Sequence, residues 1–277
     1  PSMVFTGVIE KNSDIYVTGV AIDSLSPYPI GNIILKINQE GEVLWCKKIF
    51  NPNKYYETWN GALAETPDGN LIEAGSTTDT TKKAVLLKYN LAGDTIFTKE
   101  FESVIHDTLS VQTWNMTQTS DNGFAIVGTL ANVQAGNNLD IAVYKIDSAG
   151  NLEWAKSFGG IWRDIAWSII ETSDGGLIVG GRTGNESHVL KGFIGKDYIF
   201  KIDNQGNLKW EFVTTDVQIN QITIGATSMI QTPDEGFIIA STIGYESPIN
   251  ATMGIQNYST PLIYKLDKDR NLIWKKE

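Results

Sequence analysis

Four acids stand in comparable loops of the sequence: Glu57, Asp107, Asp164 and Asp216. The first three are interleaved with rings and bases: Tyr55, Tyr56 and Trp59 around Glu57; His106 and Trp114 around Asp107; Trp162, Arg163 and Trp167 around Asp164. Carboxyl groups gathered in a pocket can do acid–base work, one protonated as general acid and one ionised as nucleophile or base. The rings suit a second use, because an aromatic face stacks on the C–H face of a sugar while charged groups hydrogen-bond its hydroxyls. Two plainer roles compete. An Asp that recurs in one loop can cap a turn, and the Trp side chains can be packing between repeats.

Other chemistries are poorly marked. His106 and His188 are the only histidines and fall in different repeats, so neither a histidine metal centre nor a Ser–His–Asp relay is signalled. Cys46 is the only cysteine, which rules out an internal disulfide and a cysteine zinc site. No cofactor is called for; Ca²⁺ held by the ring of acids is the one ion the oxygen ligands leave open, although no Asp-x-Asp-x-Asp-Gly loop is present.

The 277 residues carry a net charge of −10, with 42% hydrophobic and 19% charged side chains. That balance supports a sizeable core and argues against disorder. An acidic surface gains nothing from counterion release, so nucleic acid is not an expected partner, and an anionic membrane would repel it. No run approaches the ~18 apolar residues of a membrane span. The chain opens at Pro1 without an initiator Met and reads as a mature form or an excised domain. Few basic residues, Thr- and Asn-rich loops and eight Trp fit an exported, cell-surface or periplasmic setting.

The elements that must position these residues follow from an internal repeat. A Thr-x-Asp-Gly-like turn recurs at Asp68, Asp121, Asp174 and Asp234, with a degraded copy in which Asn12 takes the Asp place. A Lys followed by an aliphatic or Tyr and then Asp or Asn recurs at Lys36, Lys88, Lys145, Lys201 and Lys265. Nine residues after each Lys stands an aromatic: Trp45, Phe97, Trp154, Trp210 and Trp274. Alternating β-branched, aromatic and polar residues, punctuated by Gly, Asn and Asp, give each copy four strands, A to D, and sustained helical periodicity is missing. The Asp-Gly-Gly and Asn-Gln-Gly-Asn stretches are hairpin turns, because Gly and Asn accept positive φ. A unit of roughly 55 residues with four strands is the signature of a propeller. The expected fold is therefore a single all-β domain, a five-bladed β-propeller of four-stranded antiparallel blades, at about 3–50, 51–103, 104–158, 159–213 and 214–277.

Three details follow. Strand B carries Gly19, Gly75, Gly128 and Gly181 at one position, with Ser241 in the fifth copy, as if inner strands crowd an axis. The strand-D aromatic should wedge between neighbouring blades, and the repeated Lys and Asp should pair or bond turn carbonyls. Strand A of the first blade, near 4–9, and strand D of the last, at 272–275, leave ring closure to side-chain packing.

The fourth copy brings out a resemblance. Gly159-Gly160, Asp164, Ala166, Ser168, Thr172, Asp174-Gly175-Gly176, Gly181, Thr183, Lys201, Asp203, Gly206-Asn207 and Trp210 resemble the repeat of exported bacterial and archaeal propeller proteins of the quinoprotein-like group. The likeness spans the chain, and it implies export and binding rather than a reaction; nothing points to a bound quinone. Blade 1 departs at its Asp turn, and blade 5 has Ser241 for the Gly and Arg270 for the turn Gly.

The bottom hairpins are uniform, whereas the B–C and D–A loops differ in every copy, and variation belongs where a scaffold carries specificity. Those loops contain the sequons at Asn185, Asn250 and Asn257, while Asn115 of a fourth sequon falls in a strand. The reading favoured by the sequence is an exported binding or adhesion module, not an enzyme, that holds a glycan or surface protein with Tyr55, Tyr56, Trp59, His106, Trp114, Trp162, Arg163 and Trp167. The alternatives are a glycoside hydrolase or lyase using Glu57, Asp107, Asp164 and Asp216, and a scaffold within a larger polypeptide or assembly.

Overall fold

The computed structural model describes residues 2–22, 29–49, 56–58, 62–78, 82–102, 110–132, 138–160, 163–184, 195–214, 221–223, 225–245 and 258–277. Among them every regular element is a strand. The strands form five sheets, each ordered as in the sequence. The first sheet joins Ser2–Lys11, Asp14–Ile22, Pro29–Ile37 and Val43–Ile49, all antiparallel. The third joins Ser110–Gln118, Phe124–Asn132, Asn138–Ile146 and Leu152–Phe158, and the fourth Asp164–Glu171, Leu177–Gly184, Gly195–Ile202 and Leu208–Val213. In the second and fifth sheets strand A is divided, into Tyr56–Glu57 with Leu63–Glu65 and into Gln221–Thr223 with Ser228–Gln231. The repeat predicted from sequence is thus present in every sheet.

The chain groups into two compact units, residues 1–136 with 142–157, and residues 137–141 with 158–277. In the first, one apolar layer joins Tyr16, Ile34, Tyr56, Leu71, Val85, Leu87 and Tyr89, and a second is built around Ile72, Leu86, Phe124, Ile126 and Tyr144. In the second unit the layer is Ile178, Ile199, Met229, Phe237, Ile239 and Tyr264. Each layer lies between consecutive sheets, so the inward faces of neighbours bury one another, as alternating strand patterns require.

The strand-D aromatics sit where the repeat places them. A Cβ on Gly93, in the C–D turn of the second sheet, would lie 2.7 Å from the Trp45 ring, and one on Gly150 would lie 2.9 Å from Phe97. In the second unit Trp210 lies 5.9 Å from Phe237, and the Arg270 guanidinium covers its ring at 5.4 Å. Trp45, Phe97 and Trp210 therefore each rest on the turn of the sheet that follows.

The repeated Lys and Asp pair in all five sheets: Lys36 with Asp14, Lys88 with Asp68, Lys145 with Asp121, Lys201 with Asp174 and Lys265 with Asp234, at 2.5–2.7 Å. The first copy corrects the sequence alignment. Asn12 and Ser13 form a two-residue turn with φ of 54° and 64°, so Asp14, not residue 12, faces the lysine. The Lys201 ammonium, then the Thr172 hydroxyl, hold the Asp174 carboxyl down at about 2. A depressed carboxyl stabilises the fold fully above its ordinary value near 4 and loses that contribution as pH falls through about 2. Because Asp174 is largely exposed, Lys201→Met should cost only about 0.5–1 kcal/mol at pH 7. Denaturant titrations should show the difference vanishing near pH 2.

The strand-B glycines have a different cause from axial crowding. Strand A carries a bulge opposite each of three: the pairing slips between Phe5 and Gly7, Thr113 and Asn115, and Ala166 and Ser168. The bulge pushes a carbonyl at the glycine. A Cβ on Gly128 would lie 2.6 Å from the Gln112 oxygen, and on Gly181 it would strike the Ile165 oxygen. In the fifth sheet the interrupted strand A leaves Ser241 without a strand-A partner, and its hydroxyl donates to Asp197 at 2.8 Å.

Candidate functional site

Six of the twelve residues marked in the sequence lie outside the described residues: Tyr55, Trp59, His106, Asp107, Trp162 and Asp216. So do His188 and the sequons at Asn185, Asn250 and Asn257, whereas Asn115 lies in a strand as expected.

In the first unit Tyr56 is a correction. Its ring is 5% exposed within the Tyr16–Tyr89 layer, because strand A turns this residue inward, and no face is left for a ligand. Glu57, next to it, is buried and ion-paired with Lys82. Trp114 is the unpaired residue of the strand-A bulge and its indole N–H donates to Thr129 at 2.7 Å.

The first unit also buries an acid that the sequence reading passed over. Glu73 is 1% exposed, among Thr18, Asn32, Thr58 and the Tyr89 hydroxyl, which donates to it at 3.3 Å. Burial pushes its carboxyl up to about 7 against the opposing hydrogen bonds. The other copies carry Val17, Ile126, Val179 and Ile239 at this position, and Ile37, Ile146, Ile202 and Leu266 at that of Tyr89. The polar pair was therefore visible as a joint break in the repeat.

The second unit brings two acids together. Asp164 opens strand A of the fourth sheet and is 2% exposed; its Oδ2 accepts the Gly160 N–H at 2.8 Å. Asp140, on the 137–141 segment, has an Oδ1 that is buried with no hydrogen-bond partner among the described residues. A Cβ on Gly159 would lie 2.7 Å from both Asp140 Oδ1 and Asp164 Oδ2, so these oxygens are within twice that distance of each other. Gly159 has φ of 144°, and only a glycine can pass over the acids there. A Cβ on Gly160 would meet nothing within 4 Å.

Both carboxyls are held above the ordinary range. For Asp140 the cause is burial and then the Asp164 charge. For Asp164 it is burial, opposed by hydrogen bonds from Thr183 and Gly160 and reinforced by Glu211. Tyr198 donates to Glu211 at 2.8 Å, and burial, then Glu211, raise its phenol. Two acids this close resist ionising together, so a proton stays on the pair at pH values where a lone Asp would lose it. Asp140 was not found from sequence, because nothing in its strand-C position marks it.

On the opposite face of the same sheet, Trp167 is again the unpaired bulge residue. Arg182 lies over its ring at 5.6 Å, and the ring abuts Gly225. Arg163 precedes Asp164, and its carbonyl accepts the Gly184 N–H at 2.7 Å. Among the described residues no group of three or more His, Cys, Asp or Glu converges as a metal site.

This is an all-β chain of five repeated sheets, and the fold is found in solved proteins. A Dyadobacter fermentans protein of unknown function aligns with TM-score 0.60 at 12% identity, over 97% of this chain and 80% of that one. A GH43 β-1,3-galactosidase with galactodeoxynojirimycin aligns at 0.51 and 7% identity, over 96% and 91%. An endo-arabinase from Bacteroides thetaiotaomicron aligns at 0.53 and 7% identity, over 92% and 91%. At these identities the likeness establishes the fold alone. No family model matches the sequence, and no curated protein is significantly similar to it. The expectation of a binding or adhesion module is corrected by these alignments, in which a galactosidase and an endo-arabinase share the fold.

Proposed function

We propose that this chain is a glycoside hydrolase whose five sheets close as the blades of a propeller. The observation that carries the reading is the Asp140–Asp164 pair, whose Oδ1 and Oδ2 both lie 2.7 Å from where a Gly159 side chain would begin and whose carboxyls are both raised above the ordinary range. Asp164 holds the hydrogen bonds that favour its ionised form, and Asp140 Oδ1 has none among the described residues, so the proton rests on Asp140. Asp140 gives that proton to the departing glycosidic oxygen as the C–O bond breaks. The oxygens are closer than the ~6.5–9.5 Å that admits a water between them, so Asp164 itself bonds the anomeric carbon. Water then hydrolyses the glycosyl–enzyme ester and Asp140 recovers its proton. Gly159-Gly160, bare of side chains, is the strip of backbone that must shift for substrate to reach the acids.

The test is a hydrolysis assay of the purified protein on arabinan, β-1,3-galactan and aryl glycosides. Asp140→Asn and Asp164→Asn should each lower turnover at least ~100-fold with the unfolding temperature little changed. Turnover unaffected by both replacements, or no hydrolysis of any of these glycans, would overturn the assignment. The Gly160 N–H bond to Asp164 favours one rival reading, a purely structural turn cap. On that reading Asp164→Asn would lower stability and leave any activity per folded molecule intact.

A further inference from the structure

The chain has only three arginines, Arg163, Arg182 and Arg270, and two of them meet at one corner of the fourth sheet. Register makes them neighbours. Ile165 pairs with Arg182, and Gly184, two residues on, donates its N–H to the Arg163 carbonyl, so the arginines are diagonal partners on one face. Arg182 breaks the repeat, since the other copies have Val20, Ser76, Thr129 and Thr242 at its position. The Trp167 ring, forced out by the strand-A bulge, supports the guanidinium from one side. Among the described residues Arg182 has no carboxylate partner. Burial, and then the charge of Arg163, make its protonated state harder to hold than usual. Arg182 is half-buried, and the charge that acts on it among the described residues is a second guanidinium rather than an acid.

We propose that Arg182 and Arg163 form an anion subsite that binds a carboxylate or sulfate group carried by a glycan. The fork of Arg182, fixed on Trp167, presents two parallel N–H donors to a planar carboxylate or to two oxygens of a sulfate. Arg163 adds the second positive charge. Both lie at the edge of the sheet where Asp164 begins strand A, on the face opposite the acid pair. The glycan as ligand rests on the hydrolase reading; the anion preference rests on the arginines alone.

Calorimetry with three oligosaccharides of equal length tests this: a galacturonate, a sulfated galactan and a neutral arabinan fragment. At least one anionic oligosaccharide should bind roughly tenfold or more tightly than the neutral one, with affinity falling as salt rises. The one that binds identifies the group as carboxylate or sulfate. Arg182→Met, which keeps an apolar stem on Trp167, should remove both the preference and the salt dependence. Arg182→Lys keeps the charge and should recover only part of the affinity, because the fork is lost. Equal binding of all three, or an anion preference untouched by both variants with their unfolding temperatures intact, would overturn the subsite. Anion binding through Arg182 without hydrolysis would sink the enzyme assignment and leave the subsite standing. Hydrolysis of the neutral fragment with Arg182 dispensable and no anion preference would do the reverse.

Discussion

Glu73→Gln should leave stability almost unchanged at pH 4 and raise it by about 3 kcal/mol, relative to the parent chain, above pH 8. Burial places the Glu73 carboxyl at about 7, while an unfolded chain returns it to the ordinary value near 4.5. Between those values the unfolded state releases a proton that the folded state keeps, so stability falls as pH rises. A separation of about two and a half units at 1.36 kcal/mol each gives the magnitude. Below the unfolded value both states hold the proton and the difference disappears. Glutamine keeps the size and can bond the Tyr89 hydroxyl, so the comparison isolates the charge. Chemical denaturation of both chains at pH 4, 6 and 8 decides it. A constant gap across that range would mean that Glu73 does not carry its proton in the folded protein.

Gly181→Ala should destabilise the fold by about 3 kcal/mol or more, the range for backbone overpacking that cannot relax through a side chain. The new methyl would strike the Ile165 carbonyl and would stand only 2.5 Å from the Ala166 Cα. Both atoms are fixed by the bulge in strand A, so the sheet itself must open. Gly160→Ala is the control: its methyl would enter empty space, and stability should change by less than about 0.5 kcal/mol. If Gly181→Ala unfolds no more easily than Gly160→Ala, the bulge does not press on that glycine.

The strand order, the turns at Gly69, Gly93, Gly150, Gly175 and Gly206, and four of the five Lys–Asp pairs follow from the repeat spacing, whereas the first pair, Lys36 with Asp14, does not. The strand-B glycines were recognised for the right place but the wrong reason, because a bulge is a mismatch between two strands and leaves no mark in either one. The acid pair was half legible. Asp164 belongs to the repeated motif, but Asp140 meets it only through the fold, across a Gly159 whose backbone gives up a side chain. Glu73 with Tyr89, and Arg182, show the opposite case. Each is legible as an exception to the other four copies, a signal that weighing motifs by their recurrence discards.

The one-way seating of the strand-D rings has a consequence for how the chain is made. Trp45 and Phe97 each cover a turn that lies later in the sequence, and Trp210 does the same for the fifth sheet. During vectorial synthesis the ring emerges from the ribosome before the turn it will cover. The C–D hairpins of the second, third and fifth sheets therefore each meet a waiting apolar plate, which favours assembly that advances from the N-terminus.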